Sequence, residues 1–179
     1  MKIPGVLRLT PARFGDARGW FSETFNGKRL QDAGINAGFV QDNRSWSAHQ
    51  GTVRGLHFQA PPHAQAKLVE VLQGAILDVV VDLRRSSPDY GHWMGVELSA
   101  ATGQQLFIPA GFAHGFVTRA DGTEILYKCS DYYAPAHEGT IRFDDPDLEV
   151  DWGMDPAHAI LSDKDARAGA FAGFTSPFA

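Results

Sequence analysis

The segment Val53–Gln59 carries the side chains of this sequence with the clearest capacity for chemistry. His57 and Gln59 are two residues apart, so in a strand both side chains lie on the same face. Lys67 follows ten residues after His57, and Arg54 precedes it. A His-x-His pair here would indicate metal ligands, whereas His-x-Gln leaves an imidazole that can take up a proton. The segment therefore indicates acid–base chemistry beside two cations.

A second histidine follows a proline–glycine turn. Gly103, Pro109, Gly111 and His114 have the spacing G-x5-P-x-G-x2-H, which resembles the second motif of the cupin superfamily of small jelly-roll barrels. Pro109 and Gly111 suit a tight turn, and the following strand would direct His114 into the barrel. A Pro–Gly hairpin with an incidental histidine remains the alternative interpretation.

The first cupin motif is G-x5-H-x-H, followed by a glutamate and a glycine. Here Gln59 replaces the second histidine, although Glu70 and Gly74 do follow. A neutral amide binds a divalent metal less well than an imidazole does. His57, Glu70 and His114 could still supply two histidines and one carboxylate, so a metal-dependent cupin remains open as an alternative function.

The composition is that of one globular domain, which we expect to span residues 1–179. The chain has 44% hydrophobic and 21% charged residues and a formal net charge of −5, so we expect no nucleic-acid partner. A small anionic ligand remains compatible, because a few well-placed Arg and Lys side chains can bind phosphate. Cys129 is the single cysteine, which fits a reducing compartment. Residues 1–5 lack an apolar leader and no run could span a bilayer, so we expect a cytoplasmic protein without membrane association.

Short runs rich in Val, Ile, Phe and Tyr alternate with turn residues, a pattern that predicts an antiparallel all-β sandwich or barrel. The predicted strands are residues 6–10, 19–25, 39–47, 52–58, 67–72, 75–83, 92–98, 105–108, 115–118, 123–129 and 140–143. Residues 26–33 are predicted to form a short helix with Asn26 as its N-cap. From residue 155 onward we expect a loop-like tail that packs against the domain through aromatic side chains: Phe171, Phe174 and Phe178.

Nine segments resemble one family, the dTDP-4-dehydrorhamnose 3,5-epimerases, which are metal-independent cupins. They include Arg-Gly-Leu-His-Phe-Gln at residues 54–59 and Asp-Tyr-Tyr-Ala-Pro at residues 131–135. All nine follow in order between residues 6 and 165: 16–25, 39–43, 54–59, 64–69, 78–84, 108–116, 126–128, 131–135 and 161–165. The resemblance implies an all-β cupin-type jelly roll (a double-stranded β-helix) with one or two short helices and an N-terminal strand extension.

The same resemblance implies an isomerase that needs neither cofactor nor metal. Its substrate would be dTDP-4-dehydro-6-deoxy-D-glucose, epimerised at C3 and C5 to dTDP-4-dehydro-L-rhamnose on the route to L-rhamnose for lipopolysaccharide or cell-wall carbohydrate. It also implies a homodimer in which the N-terminal strands are exchanged between subunits.

Epimerisation beside a ketone needs a base on one face, an acid on the other, and a positive group at the enolate oxygen. By resemblance, His57 is the base, Tyr127 is the acid and Lys67 stabilises the enolate. Asp165 would hydrogen-bond His57, which fixes its tautomer and raises its basicity. Without the resemblance, Tyr127 would be interpreted as a core tyrosine, and Lys164 with Asp165 as a solvated surface pair.

Asp78 lies beside three valines, Val79, Val80 and Val81. A carboxylate in such an apolar run needs a partner, and we predict that His114 provides it as a second His–Asp pair.

The resemblance also predicts the substrate-binding residues. Arginine suits a diphosphate because its planar fork bonds two oxygens, amides could read a pyrimidine edge, and Trp20 could stack on its face. Arg18 and Glu23 would reach over to the partner subunit. The complete predicted set is Arg18, Glu23, Gln41, Asn43, Arg54, Gln59, His114, Glu138 and Lys164.

Three departures from the family pattern stand out. Phe143 replaces a usual Trp, Trp20 replaces a commoner Phe, and one extra residue lies between Asn43 and Arg54. We expect the first two to leave the chemistry intact and the third to alter a loop beside the sugar. Epimerisation at C3 alone, a related nucleotide-linked 4-keto sugar, and a non-catalytic sugar-nucleotide binding module all remain open as alternatives.

Overall fold

The computed structural model describes residues 3–179, and two five-stranded antiparallel sheets form its frame. The strands and helices are β1 (Leu7–Leu9), β2 (Arg13–Asp16), β3 (Gly19–Ser22), α1 (Gly27–Asp32), β4 (Gln41–Ser47), β5 (Val53–Gln59), β6 (Lys67–Gln73), β7 (Ala75–Asp82), β8 (Trp93–Ser99), β9 (Gln105–Ile108), β10 (Phe112–Thr118), β11 (Thr123–Cys129), β12 (Glu138–Thr140) and α2 (Asp163–Ala166).

The first sheet has the strand order β1-β9-β6-β11-β4 and the second has the order β12-β5-β10-β7-β8. Strands β2 and β3 form a separate hairpin. Consecutive strands often lie in different sheets, as a jelly roll requires, and the predicted cupin-type class is confirmed. Between residues 3 and 179, no helix is long and apolar enough to cross a membrane.

Strand alternation divides the space between the sheets into an apolar end and a polar end. The apolar end is a buried cluster that includes Val69, Val71, Ile76, Leu106 and Ile125. On three of these strands a polar side chain of the predicted site lies two residues along the same face: Lys67 on β6, Asp78 on β7 and Tyr127 on β11. Strands β4 and β5 add the other polar side chains of the site. The sandwich thus supplies both the core and the walls of a cleft.

The predicted strands overlap the observed ones, although β3 ends at Ser22 instead of residue 25 and β10 begins at Phe112 instead of residue 115. Two larger differences remain. Residues 140–143 were expected to form a strand, but β12 ends at Thr140. Ile141 instead makes an isolated bridge to Gly169, and Phe143 packs against Trp152. Ile141 still exchanges two backbone hydrogen bonds with Leu56 of β5, so sheet pairing continues one residue beyond β12, and Phe143 serves core packing. The second error is the omission of β2, a four-residue strand whose residues are all exposed and carry no buried periodicity.

The helix predictions were partly right. Helix α1 has Asn26 as its N-cap, accepting from the Arg29 amide, as predicted. The tail is not all loop, because α2 (Asp163–Ala166) begins after the N-cap Ser162. The three tail aromatics do pack down: the rings of Phe174 and Phe178 contact Phe58, and Phe171 contacts Tyr90.

Strands β5 and β10 approach each other unusually closely beside the predicted site. Gly55 has φ +124°, and a Cβ there would lie 2.5 Å from Cα of Gly115. Only glycine tolerates both the conformation and the contact. The register that follows places His57 directly opposite His114, so the two predicted histidines face the interior side by side.

Candidate active site

A cleft in the polar end of the sandwich brings most of the predicted residues together. It has two connected lobes with volumes of about 290 and 350 Å³. We call them the amide lobe, lined additionally by Gln41, Asn43, Phe58, Gln59, Gln65 and Cys129, and the histidine lobe, lined additionally by Ser45, Arg54, His114, Phe116, Ile125, Ser162, Lys164 and Asp165. Five residues line both lobes: His57, Lys67, Tyr127, Tyr133 and Glu138.

His57 forms a hydrogen bond of 2.6 Å from its Nε2 to Oδ1 of Asp165, which confirms the predicted pairing. Helix α2 holds the carboxylate in place, because the Asp165 amide donates to the side chain of the N-cap Ser162. The Asp165 side chain is buried, whereas that of His57 remains 27% exposed. Asp165 therefore fixes the imidazole on one side, and the other side of the ring faces the cleft.

The charge on Asp165 fixes the tautomer of His57. Burial opposes ionisation of this carboxyl, but the hydrogen bonds from His57, Ser162 and the Gly55 backbone outweigh it and hold its pKa below the usual value. A carboxylate accepts a proton from Nε2, so the neutral imidazole carries its lone pair on Nδ1. Within residues 3–179, Nδ1 has no hydrogen-bond partner, which leaves it free to act as a base.

Tyr127 and Lys67 lie side by side on β11 and β6. Nζ of Lys67 is 5.9 Å from the centre of the Tyr127 ring, and no carboxylate of residues 3–179 forms an ion pair with it. Burial lowers the pKa of Lys67 and raises the pKa of the Tyr127 hydroxyl. Tyr127 therefore keeps its proton at neutral pH and can donate it.

His114 and Asp78 form the second predicted pair, with 2.7 Å between Nε2 and Oδ1, and this pairing is confirmed. Both side chains are buried. Burial lowers the pKa of His114, although the neighbouring Asp78 opposes that shift. A neutral imidazole paired in this way can offer hydrogen bonding to a ligand without adding charge.

The amide lobe is organised by two side chains of β4. Nε2 of Gln41 donates to Oδ1 of Asn43 at 3.1 Å, and Nδ2 of Asn43 donates to Sγ of Cys129 at 3.5 Å. Oε1 of Gln41 accepts the backbone amide of Tyr133. This chain of contacts fixes the orientation of both amides, as recognition of a base edge would require.

Gln59 also lines this lobe, but its amide bonds the protein backbone. Nε2 donates to the carbonyls of His63 and Tyr132, and Oε1 accepts the amide of Ala134 at 2.8 Å. These three bonds use both amide protons and one acceptor position, so the structure points to a support for the loop 131–134. Gln59 therefore has a positioning role within the protein, and its contact with substrate stays a prediction.

The alternative metal site lacks its third ligand. Glu70 accepts a hydrogen bond of 3.0 Å from Gln105 and lines neither lobe of the cleft. Across the described residues 3–179, no three His, Cys, Asp or Glu side chains are arranged to hold a metal ion. The remaining candidates, His57 and His114, each use one ring nitrogen to bond an aspartate.

The mouth of the cleft contains one residue that the sequence analysis did not single out. Tyr133 lines both lobes and its hydroxyl donates to Glu138 at 3.1 Å. Lys164 forms an ion pair with the other oxygen of Glu138. Both residues belong to the predicted substrate-binding set. Burial opposes ionisation of Glu138, but the hydrogen bond from Lys164 outweighs it and lowers the pKa. The only sequence signal for Tyr133 was its place in the Tyr-Tyr-Ala-Pro segment.

Arg54 approaches the cleft from the β4 edge. Its guanidinium donates to the carbonyl of Trp46 at 3.2 Å and to Oγ of Ser47 at 3.3 Å. These contacts steady the side chain without neutralising its charge, which remains available for an anion.

Three predicted nucleotide contacts lie outside the cleft of their own chain. Arg18 pairs with Asp16, Glu23 pairs with Arg29, and none of these residues lines either lobe. Trp20 is 62% exposed and stacks under the guanidinium of Arg13. A single chain therefore leaves part of the predicted binding set unused.

The departures from the family pattern lie away from the chemistry. Between Asn43 and Arg54, where the extra residue lies, the turn 48–52 lines neither lobe. Asp121 of the β10–β11 connection accepts the Gln50 amide, and the effect of the extra residue on the sugar stays a prediction. Phe143 is buried against Trp152.

The positioning role of Gln59 predicts a specific loss when its amide is replaced. In Gln59→Met, three backbone groups lose their partner, and we expect the free energy of unfolding to fall by about 2–4 kcal/mol. We also expect weaker ligand binding through displacement of the Tyr133 loop. Chemical denaturation and ligand titration measure the two effects. Gln104→Met is the matched control, since Gln104 makes only a 3.4 Å contact to Thr10. A loss of binding with unchanged stability would show that Gln59 contacts the ligand directly.

Comparison with known proteins places these features in a family. The family model described as dTDP-4-dehydrorhamnose 3,5-epimerase matches residues 1–173. A dTDP-4-dehydrorhamnose 3,5-epimerase of Pseudomonas aeruginosa is 48% identical over 173 residues, covering 96% of this chain and 94% of that protein.

Two solved structures show the same architecture. The epimerase of Legionella pneumophila in complex with dTDP-4-keto-L-rhamnose has a TM-score of 0.92 and 43% identity, covering 98% of this chain and 92% of that one. A 3'-monoepimerase of Streptomyces bikiniensis in complex with dTDP-quinovose has a TM-score of 0.88 and 35% identity, covering 96% and 86%. The chain belongs to the dTDP-4-dehydrorhamnose 3,5-epimerase family.

Proposed function

We propose that this chain, acting as one domain of residues 1–179, epimerises dTDP-4-dehydro-6-deoxy-D-glucose at C3 and C5 to give dTDP-4-dehydro-L-rhamnose. The observation that carries the proposal is a base, an acid and a free cation lining one lobe: His57 supported by Asp165, Tyr127, and Lys67. These are the groups that an enolate mechanism needs. The product would enter L-rhamnose biosynthesis for cell-surface carbohydrate.

In the first half-reaction, Nδ1 of His57 removes the proton from a carbon beside the ketone. The imidazolium that forms keeps its Nε2 hydrogen bond to the ionised Asp165, which stabilises the new positive charge. The electrons of the broken C–H bond move to the C4 oxygen, and the ammonium of Lys67 stabilises that enolate. In surroundings that exclude water, this charge interaction is stronger than it would be in solution.

In the second half-reaction, the Tyr127 hydroxyl returns a proton to the opposite face of the same carbon. The cycle at the other carbon flanking the ketone uses the same groups, because both carbons share one enolate oxygen. The raised pKa of Tyr127 keeps the donor protonated between cycles. Between turnovers, His57 must pass its proton on and Tyr127 must recover one, so solvent exchange accompanies epimerisation.

The nucleotide would occupy the amide lobe and the neighbouring mouth of the cleft. Gln41 and Asn43 present oriented amides for a pyrimidine edge, and Arg54 supplies charge for the diphosphate. Lys164 and Glu138 would contact the sugar nucleotide at the mouth. This set explains how a chain with a net charge of −5 can bind a dianion.

A homodimer would allow the remaining predicted residues, Arg18, Glu23 and Trp20, to contact the nucleotide. The β2–β3 hairpin exposes Phe14, Trp20 and Phe21, each more than 60% accessible, and such apolar surface favours association. If this hairpin crosses to a partner, Arg18 and Glu23 reach the partner's cleft and Trp20 can lie against its nucleotide. Because the substrate is a phosphorylated metabolite, we place the enzyme in the cytoplasm.

Isotope exchange tests the proposed reaction. With dTDP-4-dehydro-6-deoxy-D-glucose in deuterated water, we expect deuterium at both C3 and C5, detected by proton NMR and mass spectrometry. Label at C3 alone would identify a 3-epimerase, the activity named for the Streptomyces bikiniensis relative. Absence of label at both carbons would refute the proposal.

Replacement of the base separates chemistry from binding. In His57→Ala we expect the exchange rate to fall by about 10³-fold or more, whereas the dissociation constant for dTDP changes little because the amide lobe is intact. His158→Ala is the control, since the side chain of His158 is 81% exposed. Exchange in His57→Ala close to the wild-type rate would show that another residue is the base.

Subunit mixing tests the composite site. We expect Arg18→Ala and His57→Ala each to be impaired alone. When the two are mixed and allowed to exchange subunits, half of the dimers are heterodimers with one intact site, so about a quarter of the wild-type activity should return. If Arg18 served its own chain, or the protein were monomeric, mixing would restore nothing.

A further inference from the structure

The β2–β3 hairpin, residues 13–22, projects from the sandwich, and every residue of β2 is exposed. Strand β1 pairs with β9 before the hairpin, and after it the Thr24 carbonyl accepts from Gln105, so both ends are fixed. Between those ends, the only hydrogen bonds from the hairpin to other parts of residues 3–179 come from Arg13. Arg13 is therefore the one polar attachment of the hairpin beyond its ends.

The guanidinium of Arg13 fits closely onto the turn between β8 and β9. Nη1 donates to the carbonyl of Ala101 at 2.7 Å, and Nη2 donates to the carbonyl of Ala100 at 2.8 Å. Gly103 leaves room for this group, because it has φ +60° and a Cβ there would collide with the guanidinium. The planar fork of arginine suits two adjacent carbonyls, a geometry that the single ammonium of lysine cannot reproduce.

The same guanidinium also contacts the second strand of the hairpin. Its central carbon lies 4.4 Å from the centre of the Trp20 ring, a distance at which an aromatic face attracts a cation. Trp20 is opposite Gly15, so it lies diagonally across from Arg13 on the same face of the hairpin. Arg13 thus connects both strands of the hairpin to the turn at residues 100–103.

We propose that Arg13 is an anchor that orients the hairpin toward the partner subunit's cleft and thereby positions Arg18 for the diphosphate. This inference rests on the proposed function, in which the hairpin crosses to a partner. A hairpin fixed only at its two ends can swing about them, whereas a third attachment near its base restricts its direction. Arg18 follows β2 at the far turn, and its side chain is 90% exposed. Ordering a mobile segment on binding costs affinity, so an anchored hairpin binds the nucleotide more tightly.

Replacement of the anchor separates binding from chemistry. Arg13→Met keeps an unbranched side chain that can lie on Trp20, but it removes both hydrogen bonds and the charge. We expect kcat/KM for dTDP-4-dehydro-6-deoxy-D-glucose to fall by about fivefold, through a higher KM with kcat unchanged. The dissociation constant for dTDP should rise by the same factor. A lower kcat with an unchanged KM would overturn the proposal.

Arg8→Met is the matched control. Arg8 is an exposed arginine of the neighbouring strand β1, and its side chain makes no hydrogen bond within residues 3–179. We expect this replacement to leave KM and dTDP binding at their wild-type values. An equal loss in Arg8→Met would contradict the proposal, because it would show a general effect of removing positive charge.

Subunit mixing shows which cleft the anchor serves. In a heterodimer of Arg13→Met and His57→Ala, the cleft with a working base receives the intact hairpin of the His57→Ala chain. At low substrate concentration we expect the equal mixture to show about 30% of the wild-type rate, whereas an Arg13 that serves its own chain would leave about 10%. If Arg18→Ala restores activity with His57→Ala and Arg13→Met does not, the anchor is refuted while the composite site and the epimerase proposal stand.

Two further measurements separate orientation of the hairpin from other roles of Arg13. Arg13→Met should elute with wild type in gel filtration; dissociation into monomers would overturn the proposal by assigning Arg13 to assembly. Arg13→Lys keeps the charge without the fork, so it should recover only part of the lost dTDP affinity. Full recovery would show that charge, and not the contact with the two carbonyls, is what matters.

Discussion

The hydrogen bond between His57 and Asp165 is the interaction on which the rest of the site depends. It joins β5 to the last helix across 108 residues of sequence, so the proposed base is held in position only when the tail has folded onto the sandwich. The bond sets the tautomer, leaves Nδ1 facing the cleft and supplies a counter-charge for the imidazolium. The tail aromatics that pack against Phe58 hold the same region in place. Packing of the tail and the orientation of His57 are thus parts of one arrangement.

Gln59 has a structural task at a position where metal-dependent cupins have a ligand. At the position where a metal-dependent cupin has its second histidine, the amide bonds three backbone groups and supports the loop that carries Tyr133. A residue that could have been a ligand has become structural. The imidazole of His57, which a metal would otherwise hold, is held by Asp165. The charge stabilisation that a metal would supply is assigned to Lys67.

The sequence predicted the strands well, because inward and outward residues alternate wherever two sheets enclose a core. The partner of Asp78 was also predictable, since a carboxylate within a run of valines must find one. The support of His57 was recognised only by resemblance, because Asp165 lies far along the chain in a segment without periodicity. The backbone contacts of Gln59 were not predicted, for a related reason. A side chain near a site can bond the ligand or the protein, and only the positions of the backbone carbonyls distinguish the two.

Some polar groups in the cleft have hydrogen-bond or ion-pair partners within the protein, and others do not. His114, Gln41 and Gln59 have partners within the fold, and they define the shape of the cleft. Lys67 has no carboxylate partner in the described chain, and the Arg54 guanidinium donates there only to uncharged oxygens. Leaving such groups unpaired destabilises the free protein, and a ligand that pairs them recovers that energy as affinity and selectivity. The polar interior of the sandwich thereby becomes complementary to the proposed enolate and diphosphate at the expense of its own stability.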